Sequence, residues 1–289
     1  MNWIDYESPH SVREAVDLLN EAGDRARPMA GGTDLLVQLR AGRWEVDLVV
    51  DVKNLPELNE ITYDPEQGLT LGAAVPCYRI YGNSAIRNAF PGLIDCASLI
   101  GGTQIQGRAS LGGNPCNSTP SADSIPAMIA LGATAHIAGP NGTRDVAVED
   151  FCTGPGSNVL GRGEILVSIH FPAPQRGMGA NYIRFIPRNE MDIAVAGAGV
   201  SVILENGTIK SARISLASVA PTPLYVKAAG DALAGKPPTA ESIQIAAEIA
   251  RDAAKPISDM RGTAEYRTHL CEVLTRRALT TAIERAREA

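Results

Sequence analysis

Apolar residues at Val12, Ala15, Val16 and Leu19 recur at helical spacing behind Ser8-Pro9, the pattern of a helix with one buried face. Pro9 suits its first position, and Ser11 with Glu14 offers an alternative capping box. Gly23 stops it. A short strand then leads to Met29-Ala30, a helix runs through Leu35, Leu36 and Leu39 to Gly42, and Leu48-Val49-Val50-Asp51-Val52 reads as a buried strand. This β–α–β alternation predicts a small parallel sheet.

From Leu58 the period changes. Ile61-Thr62-Tyr63, a turn at Asp64–Gly68 and Leu69-Thr70-Leu71 predict an antiparallel hairpin, with helical stretches between Tyr78 and Ile100 and a helix over Ile125–Leu131 closed by Gly132. Strands recur at Thr134–Ala138, Arg144–Val148 and Glu164–Phe171. In the last, Ile165, Val167, Ile169 and Phe171 alternate with Leu166, Ser168 and His170, which predicts two distinct faces. Pro172-Ala173-Pro174 marks a domain boundary, because prolines end a strand and stiffen a linker. Beyond it, Tyr182–Ile186, Ile193–Leu204 and Thr208–Ala217 read as three strands, the last two joined by an Asn206-Gly207 hairpin turn. Helices over Glu241–Ala254 and from about Thr263 onward complete the pattern.

At 289 residues the chain has room for two domains, each with its own core. Hydrophobic content of 45% with 20% charged residues is that of a globular protein. A net charge of −6 and a pI near 5.3 speak against nucleic-acid or anionic-membrane partners. The acidic amino terminus lacks the order of a signal peptide, and the run Ile193–Leu204 is too short to span a bilayer, so the chain is expected to be cytoplasmic. Its five cysteines and four histidines are scattered, with no C-x-x-C pair, so no metal site is expected and the thiols suit a reducing compartment.

Two glycine-bearing stretches carry the chemistry. Ala30-Gly31-Gly32-Thr33-Asp34-Leu35 lies between a strand and a helix, where amides and the helix dipole favour phosphate. The same residues suit a plain tight turn with Thr33 or Asp34 as N-cap. It is not a G-x-G-x-x-G fingerprint, so no Rossmann site is indicated. The second stretch, Gly107–Asp123, offers Ser110, Gly112, Gly113, Asn114, Ser118, Thr119, Ser121 and Asp123, more donors and acceptors than a connection needs. Asp123 fits either a ligand contact or a helix cap. Arg184, Arg188, Asn189 and Asp192 cluster further on, as phosphate or flavin partners or as surface ion pairs. Cys116 is a reactive thiol or a small buried hydrophobe, and Arg276 and Arg277 suit a solvated or subunit-facing helix surface. No nucleophile–base motif is present and no residue is assigned a catalytic role, which suits a chain whose cofactor does the chemistry.

With both loops in view, the chain resembles the FAD-binding (medium) subunit of the molybdenum hydroxylases, the family of the carbon monoxide dehydrogenase and xanthine dehydrogenase flavoproteins. Ala30–Leu35 resembles the family's first FAD loop, and Ser110-Leu111-Gly112-Gly113-Asn114, with Asp123 nine residues on, the second. The resemblance implies an α+β architecture: a two-subdomain FAD-binding fold of the vanillyl-alcohol-oxidase type over residues 1–174, divided near residue 57, and a C-terminal domain over 175–289 with a three-stranded antiparallel sheet and helices. It implies that Pro28, Met29, Ala30, Gly31, Gly32, Thr33, Asp34 and Leu35, with Ser110, Leu111, Gly112, Gly113 and Asn114, hold the adenine dinucleotide and its diphosphate, and that Ile100, Asp123, Leu166 and Arg184 touch FAD. Arg184 stands where relatives carry lysine. Gln104-Ile105-Gln106-Gly107-Arg108-Ala109-Ser110 replaces the common Gln-Ile-Arg-Asn-Arg-Gly-Thr, so an arginine is lost at Gln106. The cysteine-rich iron–sulfur insertion of some members is missing.

What the resemblance implies for function is an electron-transfer subunit. A large molybdopterin subunit oxidises the substrate, a small 2Fe–2S subunit relays electrons to FAD here, and FAD passes them to NAD, a quinone or another acceptor, in a dimer of heterotrimers. A self-sufficient flavin reductase and an FAD-free scaffold are the alternatives.

Overall fold

The first sheet assembles around the apolar run that the sequence marks as a buried strand. In the computed structural model, which describes residues 3–289 and so leaves Met1 and Asn2 outside the described residues, β1 (Asp5–Glu7), β2 (Ala26–Met29) and β3 (Leu48–Asp51) lie in the order β1-β3-β2. Both pairings are parallel, as the β–α–β pattern predicts. The helix Val12–Ala22 lays Ala15, Val16 and Leu19 into a core with Val50, Val52 and Ile165. It starts at Ser11 rather than Pro9, because Ser11 is extended and its Oγ accepts from the Glu14 amide at 3.2 Å. The short edge strand β1 was not foreseen, since all three of its residues are exposed and carry no apolar alternation.

The second sheet is antiparallel. It contains β4 (Ile61–Asp64), β5 (Gly68–Gly72), β6 (Thr134–Gly139) and β7 (Gly142–Ala147). After a two-stranded ribbon of β8 (Cys152–Gly154) and β9 (Ser157–Asn158), β10 (Ile165–Phe171) inserts at its centre, giving the order β4-β5-β10-β6-β7. The helices Cys77–Tyr81, Ser84–Ala89, Pro91–Ala97 and Ser124–Ala130 contribute to the largest core, where the Phe90 ring meets Tyr63 edge-on and Phe171 at an angle, each at 6.0 Å.

In β10 the predicted alternation fails for a physical reason. The register against β6 shifts between Leu166 and Ser168. This irregularity turns Leu166 into the same core as Ile169 and Phe171, while Ile165 and Val167 pack toward the helix Val12–Ala22. Period-2 reading cannot anticipate an unpaired residue.

The third sheet holds β11 (Met178–Phe185), β12 (Ala196–Glu205), β13 (Thr208–Ala217) and a two-residue β14 (Leu224–Tyr225), all antiparallel in that order. The fourth strand extends the three expected. Asn206 and Gly207 turn between β12 and β13 with φ of 52° and 79°, the left-handed pair a tight hairpin needs. The helix Ser124–Ala130 approaches so closely that a Cβ at Gly199 would sit 2.6 Å from the Pro126 carbonyl. The helix Ala264–Glu288 covers β11 equally closely, with Ala282 O only 2.0 Å from a Cβ at Gly179. Packing by two helices explains why β12 is buried residue after residue over Ala196–Val202 rather than on alternate positions. Among the described residues no helix is long and apolar enough to cross a membrane.

The third sheet is tied to the large core by a polar cluster. Asp95, on the helix Pro91–Ala97, accepts from Arg285 at 2.6 and 3.0 Å, from Asn181 Nδ2 at 2.7 Å and from the Tyr182 amide at 3.2 Å.

Candidate functional site

The first glycine loop leaves the end of β2 and enters the helix Leu35–Arg40. That helix has only six residues, so its dipole adds little, and individual amides matter more than the sequence suggests. No acceptor among the described residues takes the amides of Gly31, Gly32, Thr33 or Asp34. Consecutive free N–H groups of this kind form a concavity for an anion. Asp34 occupies the N-cap position without a side-chain capping bond, and the plain-turn reading of this loop loses its main support.

The two glycines differ in what they do. Gly31 is in contact with the second loop: a Cβ there would lie 1.9 Å from the Arg108 carbonyl oxygen. Gly32 instead supplies a left-handed turn, with φ of 75°. In the second loop, Gly112 abuts Ala73, whose carbonyl oxygen would be 2.5 Å from an added Cβ. Ser110 Oγ accepts from the Gly113 amide at 3.2 Å and the Leu111 amide faces Val75 in the bridge that pairs Ser110 with Pro76, whereas the amide of Gly112 has no acceptor among the described residues.

A second bridge joins the loops. Trp44 Nε1 donates to Gln38 Oε1 at 2.8 Å, Gln38 Nε2 to Asn117 Oδ1 at 2.8 Å, and Asn117 Nδ2 to Thr119 Oγ1 at 2.9 Å. Of these only Thr119 was singled out from the sequence, which shows no relation between residues as far apart along the chain as Gln38 and Asn117.

From the second loop a polar chain leads to Arg184. Asn114 Oδ1 accepts from Ser124 Oγ at 2.8 Å. Next to Ser124, Asp123 is buried and makes no capping bond, so the capping alternative fails. Its two oxygens accept from Tyr182 Oη at 2.7 Å and Arg184 Nη1 at 2.5 Å. Burial pushes the Asp123 carboxyl up to about 6, against the opposing pull of Arg184 and Tyr182. Arg184 also donates to the Leu99 carbonyl at 2.8 Å, beside Ile100, and its Nε is buried without a partner. A buried donor with no acceptor is costly, and a bound ligand atom would relieve it. Tyr182 had a usable signal: two residues before Arg184 on a strand, it shares that residue's face.

The remaining expected residues separate into two groups. Ile100, Leu111 and Leu166 are buried in the large core, so their side chains serve packing and only their backbone is left for a ligand. Pro28 is exposed at the end of β2, while Met29, Ala30 and Leu35 lie half-buried against the smaller cores. Arg188 does not join Arg184; it is exposed and pairs with Asp192 at 3.7 Å. Arg276, Arg277 and Cys116 are exposed. Gln106 is buried and donates to the Ser98 carbonyl at 2.8 Å, a local bond in place of the lost arginine.

Two loops with free amides and a buried arginine with an unpartnered nitrogen make a donor set suited to a dinucleotide, and the fold around them is that of a flavin-binding class of protein. The model of the FAD binding domain in molybdopterin dehydrogenase matches residues 2–174, and that of the CO dehydrogenase flavoprotein C-terminal domain matches residues 181–282. The chain belongs to the FAD-binding subunits of the molybdenum hydroxylases, the family of the xanthine and carbon monoxide dehydrogenases. It is 32% identical to the xanthine dehydrogenase FAD-binding subunit of Escherichia coli O157:H7, with 98% of each chain covered. It is 33% identical, at the same coverage, to the carbon monoxide dehydrogenase medium chain of Afipia carboxidovorans. Among solved structures, a chain of the reconstituted CO dehydrogenase from Oligotropha carboxidovorans superposes with a TM-score of 0.94 at 33% identity, covering 98% of this chain and 99% of that one. A chain of quinoline 2-oxidoreductase from Pseudomonas putida 86 gives 0.90 at 28% identity, with 99% of each covered.

Proposed function

We propose that this chain is the electron-transfer subunit of a cytoplasmic molybdenum hydroxylase, built as a dimer of heterotrimers with a large molybdopterin subunit and a small 2Fe–2S subunit. Residues 1–174 form its FAD-binding domain, with subdomains meeting near residue 57, and residues 175–289 its C-terminal domain. When bound, FAD supplies the capacity to store two electrons, received from the 2Fe–2S subunit, and to release them to NAD or a quinone.

The chain's own residues bind and orient. Pro28–Leu35 and Ser110–Asn114 hold the adenine dinucleotide, the free amides of Gly31–Asp34 and of Gly112 meeting the diphosphate. Ile100 and Leu166 border the flavin through their backbone, and Arg184, fixed by Asp123, offers its Nε. The free amides are the observation that carries this reading, because they have no purpose in a scaffold without cofactor.

Co-expression with the neighbouring subunits tests it. Co-purification of the three, with FAD reduced on adding the organic substrate and reoxidised by NAD or a quinone analogue, is the expected result. A chain that turns over a substrate alone would overturn it in favour of a self-sufficient reductase.

A further inference from the structure

Tyr182 is only 2% exposed, and the proposed cofactor contacts do not use it. With Arg184 it encloses Asp123, so each carboxylate oxygen has its own donor. Few other charged groups face this unit. The helix Pro91–Ala97 brings Cys96, and Asp95 beyond it is paired with Arg285 of the last helix at 2.6 Å. At the far end of the helix Ser124–Ala130, Arg213 donates to the Ile129 carbonyl and pairs with Glu149. The enclosed unit therefore balances one carboxylate against one guanidinium. A second negative charge beside Arg184 breaks that balance and makes Asp123 the anion most easily protonated.

Resting on the reading that FAD lies beside Arg184, we propose that Asp123 takes up a proton when the flavin is reduced, and that Tyr182 is the positioning residue that keeps it ionised beforehand. The flavin gains two electrons and one proton, FAD + 2e⁻ + H⁺ → FADH⁻, and the Asp123 carboxylate takes a second proton from solvent. Cofactor and buried unit together then gain no net charge. The electrons come from an iron–sulfur donor in the assembly, or from dithionite in a titration. Burial has already raised Asp123 to about 6, and an added anion beside Arg184 raises it further.

The test is the midpoint potential of FAD in the loaded chain, titrated with dithionite and reference dyes from pH 5 to 9. Wild type should take up more than one proton per two electrons over a window above pH 6. Asp123→Asn should lack that extra uptake. In Tyr182→Phe, which removes one donor to the carboxylate and keeps the ring, the window should move up by about one pH unit. An unchanged window in either variant would overturn the inference while leaving FAD binding intact. Failure of the wild-type chain to bind FAD would overturn the cofactor reading and this inference with it. Should Asp123→Asn not fold, Tyr182→Phe decides the matter alone.

Discussion

Gly31→Ala is the sharpest perturbation of the contact between the two loops. A Cβ at that position would sit 1.9 Å from the Arg108 carbonyl oxygen and 2.6 Å from its carbon, where ordinary contact begins at 3.4 Å. One backbone must move by about 1.5 Å, because no flexible side chain is there to yield. Overpacking typically costs about 1–3 kcal/mol, and a backbone-on-backbone clash belongs at the upper end. If the loops part while the fold persists, a cost of ~3 kcal/mol appears as roughly 100-fold weaker FAD binding. The assay is quenching of flavin fluorescence on titration, run beside thermal unfolding of the apoprotein. Gly113→Ala serves as a stability control: its Cβ would be 3.3 Å from Ser110 Oγ, a rotatable group, so a loss of no more than about 1 kcal/mol is expected. Gly31→Ala with wild-type affinity and an unchanged melting temperature would refute the reasoning.

Three further outcomes follow from the packing and the polar clusters. Phe90→Ala, which empties a site between Tyr63 and Phe171, should cost about 3–5 kcal/mol in denaturant unfolding. Asp95→Ala strips Asn181 of its acceptor, leaves Arg285 only the Ala180 carbonyl, and should cost roughly 1–3 kcal/mol; hydrogen exchange should rise at the end of the helix Ala264–Glu288 before it rises elsewhere. Asp123 has its folded-state pKa raised to about 6, so the native state holds its proton more tightly than the unfolded chain does. The stability of the apoprotein relative to Asp123→Asn should therefore decline as pH rises from about 4 to about 6 and level off above, a trend that melting curves across that range would check.

Much of the architecture was legible because it follows from local pattern. The run Leu48–Asp51, the hairpin turns at Asp64–Gly68 and Asn206-Gly207, and the amphipathic stripe of Val12–Ala22 each carry their own periodicity or turn chemistry. What escaped depends on partners distant in sequence. The shift in β10 that turns Leu166 inward arises from its register against β6, and β1 gains its strand character only by pairing with β3. The same division holds at the site. The glycine loops announce themselves by composition, yet Gly31 is required by the backbone of Arg108, which only the folded chain brings near. Asp123 was legible as a candidate but not its enclosure by Tyr182 and Arg184. The expected dipole at Leu35–Arg40 gave way to free amides, because the helix is too short for its dipole to dominate.

The central claim is that the two loops hold one FAD, and its most direct test is the FAD content of the chain, measured alone and within the assembled complex. The account predicts flavin absorption bands bleached by dithionite, with one FAD released per chain on denaturation. Absence of flavin from both preparations, with no binding on titration, would contradict it.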